Sequence, residues 1–416
     1  MGLGLAIAPD AASGTDFGAA APRVLWTAGI GFDSFGERYS LEAADTLDFS
    51  NEVWTRAGVM AQRPWTRRGR FWIEDQLSFS NIALRNRIAF GLDRAWRVDD
   101  ALSFQSDLAL RRNHPGPDQN DALALSSSYW QEDARLSYRP RLTDELRLRL
   151  GERFFLIDFT DETRYEYDYL QNELALGLEL ERGLGRVLDL DYGYARRLVP
   201  DSSAVDYGEH RVRVGYRASD GLWGRFELAG EALRRHYRDE EVRPGSTVLR
   251  AEGSLALAAG ERWEMRIGDG CESTTYDAPS SVYFDLVVNR SGIGVFYLLG
   301  PAFEIGGEPR YTLLRAAEDA GEDYDELSLS VALRLFRGQT AWLDLALEPG
   351  HRDYLDRAPE GIYSDYDFVR GTAVGSLQLG DRTTLAAYVS YEPERHEVPG
   401  DDATITLIST DLTVRF

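Results

Sequence analysis

Hydrophobic and polar residues alternate along this chain with a period of two. Leu327-Ser-Leu-Ser-Val-Ala-Leu-Arg-Leu335, Leu102-Ser-Phe-Gln-Ser-Asp-Leu-Ala-Leu110 and Leu174-Ala-Leu-Gly-Leu-Glu-Leu180 each set an apolar row against a polar or small one. Successive side chains of a β-strand point to opposite faces, so each segment predicts a strand with one apolar and one polar face. From residue 23 to residue 416 there is no domain break, low-complexity linker or amphipathic helix, so one all-β architecture has to account for this whole stretch.

Two kinds of connection take turns between the strands. Short turns fall near 98–101, 141–145, 182–185, 219–221, 260–261, 337–338 and 380–382. Longer acidic loops bearing Pro or Gly fall near 34–45, 113–121, 160–164, 200–206, 239–245, 277–281, 316–325, 353–362 and 393–402. A hairpin near 80–82, without a strong turn signal, and a single strand over 282–298 complete the count. The expected fold is a closed antiparallel up-and-down transmembrane β-barrel of about 18–20 strands, with tight turns on the periplasmic rim and long loops outside.

A soluble sandwich shares the alternation, so further features have to separate the two. The segments run to about 12–16 residues, longer than soluble strands and long enough for tilted spanning ones. Trp54, Trp65, Trp72, Trp96, Trp223, Trp263, Trp342 and the run Tyr165-Glu-Tyr-Asp-Tyr169 fall toward predicted strand ends, where a membrane boundary favours amphipathic rings. The chain closes with Ile408-Ser-Thr-Asp-Leu-Thr-Val-Arg-Phe416, in which Ile408, Leu412, Val414 and Phe416 share one face. This strand resembles the terminal strand of Gram-negative outer-membrane β-barrel proteins, where a final aromatic and alternate apolar positions form the signal read by the barrel-assembly machinery. Val414 departs from the aromatic often found two residues before the end. The resemblance implies an outer-membrane location, with outer-membrane lipid and that machinery as partners, and names no solute.

Composition fits the same picture. Tyr, Phe, Trp and Gly number 21, 18, 9 and 39, a β-type usage. No apolar run is long enough for a spanning helix, and mean hydropathy is −0.36. With 69 acidic and 46 basic residues the net charge is −23, which argues against nucleic acid as a partner. The lone Cys271 excludes an intramolecular disulfide framework. Residues 1–22, apolar and then Ala-rich without a basic start, read as a signal-peptide remnant or disordered leader.

Assigning the apolar rows to lipid places the other rows inside. The candidate lumen-lining residues, and so the candidate solute path, are Asp48, Glu52, Arg56, Asp107, Arg111, Arg147, Arg149, Glu173, Glu179, Asp189, Asp191, Arg211, Arg213, Arg225, Glu227, Arg250, Glu252, Arg334, Asp344 and Arg370. Acids and bases nearly balance, so the excess negative charge belongs mostly to the outer loops. Such a lumen either sets a transverse field that selects polar solutes by charge and size, or pairs its charges into ladders that hold the wall. The expected function is a channel for polar solutes, or an export conduit for a polar polymer such as a polysaccharide. The alternative is a plugged barrel working through its loops or a partner protein.

No cofactor or metal is implied. Acidic stretches such as Glu318–Glu326 lack calcium-loop spacing and read as solvated. His114, His210, His236, His351 and His396 all fall in or beside outer loops, and Ser202, Ser203 and Asp206 precede His210. Without a nucleophile elbow, a His-Glu-x-x-His helix or a phosphate loop, catalysis is not expected.

Overall fold

The computed structural model describes residues 23–416 except 42–43, 67, 97–99, 114–127, 161–166, 184, 221–223, 281, 318–321, 339, 356–363 and 399–400, and leaves out the side chains of 37, 39–41 and 44–49. The leader, His114, Trp223 and the Asp48 side chain therefore lie outside the described residues.

Twenty strands follow one another in a meander. They begin β1 (Arg23–Leu41), β2 (Ala44–Thr66), β3 (Gly69–Ser80), β4 (Ala83–Ala95) and β5 (Ala101–Asn113). Next come β6 (Tyr129–Arg139), β7 (Leu146–Phe159), β8 (Tyr169–Glu181), β9 (Arg186–Leu198) and β10 (Tyr207–Ser219). β11 (Gly224–Tyr237), β12 (Ser246–Ala259), β13 (Trp263–Tyr276), β14 (Leu286–Leu298) and β15 (Phe303–Ala316) continue the wall. It ends with β16 (Tyr324–Arg337), β17 (Ala341–Tyr354), β18 (Tyr366–Gln378), β19 (Thr383–His396) and β20 (Ala403–Arg415).

Each strand pairs antiparallel with its neighbour, and β20 pairs with β1 from Thr27↔Arg415 to Tyr39↔Ala403, so the sheet has no free edge. Trp26 and Phe416 exchange two backbone hydrogen bonds at the end of this seam. Closure satisfies every ladder within the wall, which is what a sheet spanning hydrocarbon requires. The exterior rows are apolar and exposed, including Leu108, Leu110, Leu174, Leu176, Val212, Val214, Leu327 and Leu329. This is a transmembrane barrel, with an even strand count that puts both strand termini on one rim.

That rim carries the tight turns. Gly183, Gly185, Gly260, Gly300, Gly338 and Gly380 all sit there with positive φ, a conformation that L side chains resist. At the opposite rim an aspartate directly preceding the next strand closes the base of the loop. Asp168, Asp206, Asp285, Asp323, Asp365 and Asp402 accept the backbone N–H of Phe159, Val199, Tyr276, Ala316, Tyr354 and His396, respectively. Part of the acidity of the outer loops thus caps donors where the ladders stop.

Three expectations change. The described residues of 34–45 are not a loop but a continuation of β1 and β2, which stay in register to Leu41↔Ala44. The strand expected over 282–298 begins at Leu286. Trp54 and Trp72 do not join an interfacial belt. Trp54 Nε1 donates to Asp33 on the inner wall, and Trp72, 9% exposed, lies against Gly91. Trp65, Trp96 and Trp263 do lie exposed at the turn rim, where Trp96 meets Tyr138 edge-on and Trp263 packs 4.4 Å from Tyr297.

Candidate functional site

The polar rows of all twenty strands converge on one face, and its ion pairs show which way that face curves. Arg149 on β7 reaches Asp191 on β9 at 2.9 Å across β8, where a Cβ on Gly177 would come within 2.3 Å of that carboxylate. Arg56 on β2 reaches Asp411 on β20 at 2.8 Å across Gly29 of β1. Arg310 on β15 reaches Glu348 on β17 at 2.8 Å. Side chains meet across an intervening strand where a curved sheet is concave and splay apart where it is convex. The charged face is the lumen wall.

Most of that wall is paired. Glu52 meets Arg85 at 2.7 Å and Asp107 meets Arg87 at 2.5 Å, while Arg111 donates to Asn113. Arg147 holds Glu179 at 2.8 Å, and Arg149 holds Asp189 as well as Asp191. Glu173 accepts from Gln171, with Arg153 at 3.9 Å. Arg211 pairs with Glu209, Arg225 with Glu227, and Arg250 with both Glu231 and Glu272. Arg334 bridges Glu304 and Asp344, and Arg370 contacts Glu326, Glu348 and Glu392.

Glu52 is 5% exposed and has Arg85 as its cationic partner. Arg85→Ala leaves that carboxylate desolvated and uncompensated, at a cost of about 2–3 kcal/mol, toward the low end for buried pairs because Arg85 is partly solvated. A lowered temperature for loss of the heat-modifiable band is the expected result; an unchanged one rules out this role.

Not every charge of the inner wall has such a partner. Among the described residues Arg213, Glu252 and Arg290 make no hydrogen bond or ion pair, and all three line one recess of about 850 Å³ spanning β9 to β14. Its floor is open because Gly215, Gly268 and Gly270 carry no side chain there, and a Cβ on Gly268 would meet nothing within 4 Å. Paired groups flank it: Arg149 with Asp189 and Asp191, Arg217 with Asp189, Arg250 with Glu272. Two free guanidinium groups and one free carboxylate face the water of this recess. Guanidinium forks match carboxylates bidentately, and a carboxylate accepts from hydroxyl or ammonium groups.

Sequence reasoning missed a second feature, a four-residue module near the outer mouth that occurs twice. On β10 and β11, Tyr207, Glu209, Arg235 and Tyr237 come together: Arg235 lies 2.6 Å from Glu209 and 4.5 Å from the Tyr207 ring centre, and the tyrosines meet edge-on at 5.8 Å. On β16 and β17, Tyr324, Glu326, Arg352 and Tyr354 repeat it, with distances of 2.5, 4.1 and 5.7 Å. The signal was present as Tyr-x-Glu opening one strand and Arg-x-Tyr ending its neighbour. The aromatic and ionic contacts satisfy each guanidinium on its faces and its edge.

Among the described residues the histidines form no nucleophilic site. His210 Nδ1 lies 2.9 Å from the Tyr192 hydroxyl on the outer wall, and His351 pairs with Asp367. His396 Nδ1 lies 2.9 Å from Ser364 Oγ, and that hydroxyl donates to Asp401 at 3.2 Å. Among the described residues no group of His, Cys, Asp and Glu is placed to hold a metal ion. Ile408, Leu412, Val414 and Phe416 lie along β20 between β19 and β1, and Phe416 is 61% exposed.

No protein-family model matches this sequence, and no curated protein matches it either. Solved structures do match in fold. The alcaligin outer-membrane receptor FauA from Bordetella pertussis superposes with a TM-score of 0.55 at 11% identity, over 94% of this chain and 76% of that one. The siderophore receptor PirA from Pseudomonas aeruginosa gives 0.53 at 10% identity, over 93% and 80%. OccAB4 from Acinetobacter baumannii gives 0.50 at 10% identity and covers 98% of that chain. Closed on itself and apolar outside, this chain has the fold of a large outer-membrane β-barrel.

Proposed function

We propose that the protein is an outer-membrane transport barrel whose lumen takes polar, carboxylate-bearing solutes, acidic sugars above all, as monomers or as segments of a polymer. The observation that carries this reading is the recess: in a wall of paired charges, Arg213, Arg290 and Glu252 stand unpaired beside a glycine floor. Two guanidinium groups supply the counter-charge for a uronate carboxylate, and Glu252 supplies an acceptor for its hydroxyls. The path follows the residues expected from the sequence, from Arg370 and Glu173 to the Arg147 and Arg334 pairs. The kinship in fold with siderophore receptors supports passage through the barrel and leaves the solute to the recess.

Single-channel recording in planar bilayers tests this. Steady current is expected, with glucuronate reducing it more than glucose at equal concentration. The extensive pairing favours one rival, a barrel held shut by its own ladders and acting through its loops. Silence in the bilayer supports that rival and sinks the channel.

A further inference from the structure

On the lipid-facing side of β6 to β10 lies a groove of about 760 Å³. Leu136, Leu150, Leu174 and Leu176 form its body, with Glu152 between Leu136 and Leu174, and Tyr194 and His210 stand at its upper end. It crosses four strand spacings, about 19 Å at the usual separation. These side chains belong to the exposed apolar rows, so the groove opens into hydrocarbon and not into the lumen.

Its upper end is polar. Arg196, two positions beyond Tyr194 on the same outward row, is exposed and among the described residues makes no hydrogen bond or ion pair. Its register partners are Asn172 on β8 and Gly208 on β10, so no side chain covers it from the β10 side. The other charges nearby are occupied. Arg234, opposite His210, is held by Asp277 through two hydrogen bonds, and Glu152 accepts from Asn172.

We infer that this groove is a site for a phosphate-bearing acyl lipid, one chain lying along the leucines and the phosphate meeting Arg196. An apolar trough that ends at a solvated, unpaired guanidinium matches the two ends of such a molecule, and membrane is the medium the groove faces. Asn172, whose amide donates to Glu152, and His210, whose Nδ1 lies 2.9 Å from the Tyr192 hydroxyl, flank the phosphate position. The inference is independent of what crosses the lumen.

The test is lipid retention by the full chain in detergent, read by native mass spectrometry after exchange with phosphatidylglycerol. The protein is expected to keep phosphatidylglycerol over diacylglycerol. Arg196→Ala is expected to weaken retention about tenfold, as for loss of one charge-assisted contact, and Leu174→Trp, which fills the trough, to weaken it comparably. Arg395→Ala, an exposed outward arginine on β19, serves as the control and leaves retention unchanged. Heat-modifiable mobility verifies that each variant is folded. Equal retention of diacylglycerol, equal competition by inorganic phosphate, or no effect of either groove variant overturns the proposal.

Discussion

Reversing the two free guanidinium groups, Arg213→Glu together with Arg290→Glu, is expected to abolish block by glucuronate and move the reversal potential under a salt gradient toward cation preference. The physical case is local. Flanking charges such as Arg149, Asp189 and Asp191 neutralise one another, so the recess potential is set by Arg213, Arg290 and Glu252. A unit charge at about 4 Å in water is worth about 1 kcal/mol; four units of change move the affinity for a carboxylate at least tenfold and invert which ion the recess concentrates. The same reversal at Arg225, which already pairs with Glu227 and stands outside the recess, is expected to do much less. Equal effects at both places would show that total lumen charge matters and that the recess is no site.

The second large effect belongs to the seam. Phe416→Ala is expected to remove most of the folded barrel from membranes of expressing cells, roughly tenfold, the equivalent of about 1.4 kcal/mol in recognition. Purified, urea-unfolded chain carrying the change is expected to refold into detergent as the unaltered chain does. The reason is that the Phe416 ring faces outward and is 61% exposed, while its backbone hydrogen bonds to Trp26 survive truncation to alanine. A side chain that contributes little to the finished wall, yet is needed in the cell, acts on the assembly machinery. Parallel losses in cells and in detergent would instead make it an ordinary stabilising contact.

Period-two alternation made the wall legible, because lipid on one side and water on the other impose opposite requirements on alternate residues. It also placed Arg147, Glu179, Asp189 and Arg334 on one face with no knowledge of pairing. What it could not give was register. Arg213 stands opposite Asp191 and Glu231 yet is left free because Arg149 and Arg250 take those carboxylates, and alternation carries no such information. The two tyrosine, glutamate and arginine modules depend on register in the same way, since each is split between two strands that are joined at the turn rim and meet again at the outer mouth. Composition misled at 34–45, where Ser, Gly and acidic residues suggest a loop although β1 and β2 remain paired. A hairpin standing above the membrane has water on both faces and loses the alternation that marks a strand. Trp54 and Trp72 were misplaced by position along the strand; parity, which puts them with Glu52 and Glu74, would have placed them inside.

Those inward aromatics also bear on the bore of the barrel. Trp54 lies over Gly31, Trp72 over Gly91, Phe296 over Gly306 and Phe368 over Gly350, each so close that a Cβ on the glycine would come within 2.1–2.5 Å of the ring. The rings are folded flat against the wall because the neighbouring strand yields the space. Bore in this barrel is therefore adjustable without adding or removing a strand: a methyl group at one of four glycines would lift a ring toward the axis and narrow the lumen there.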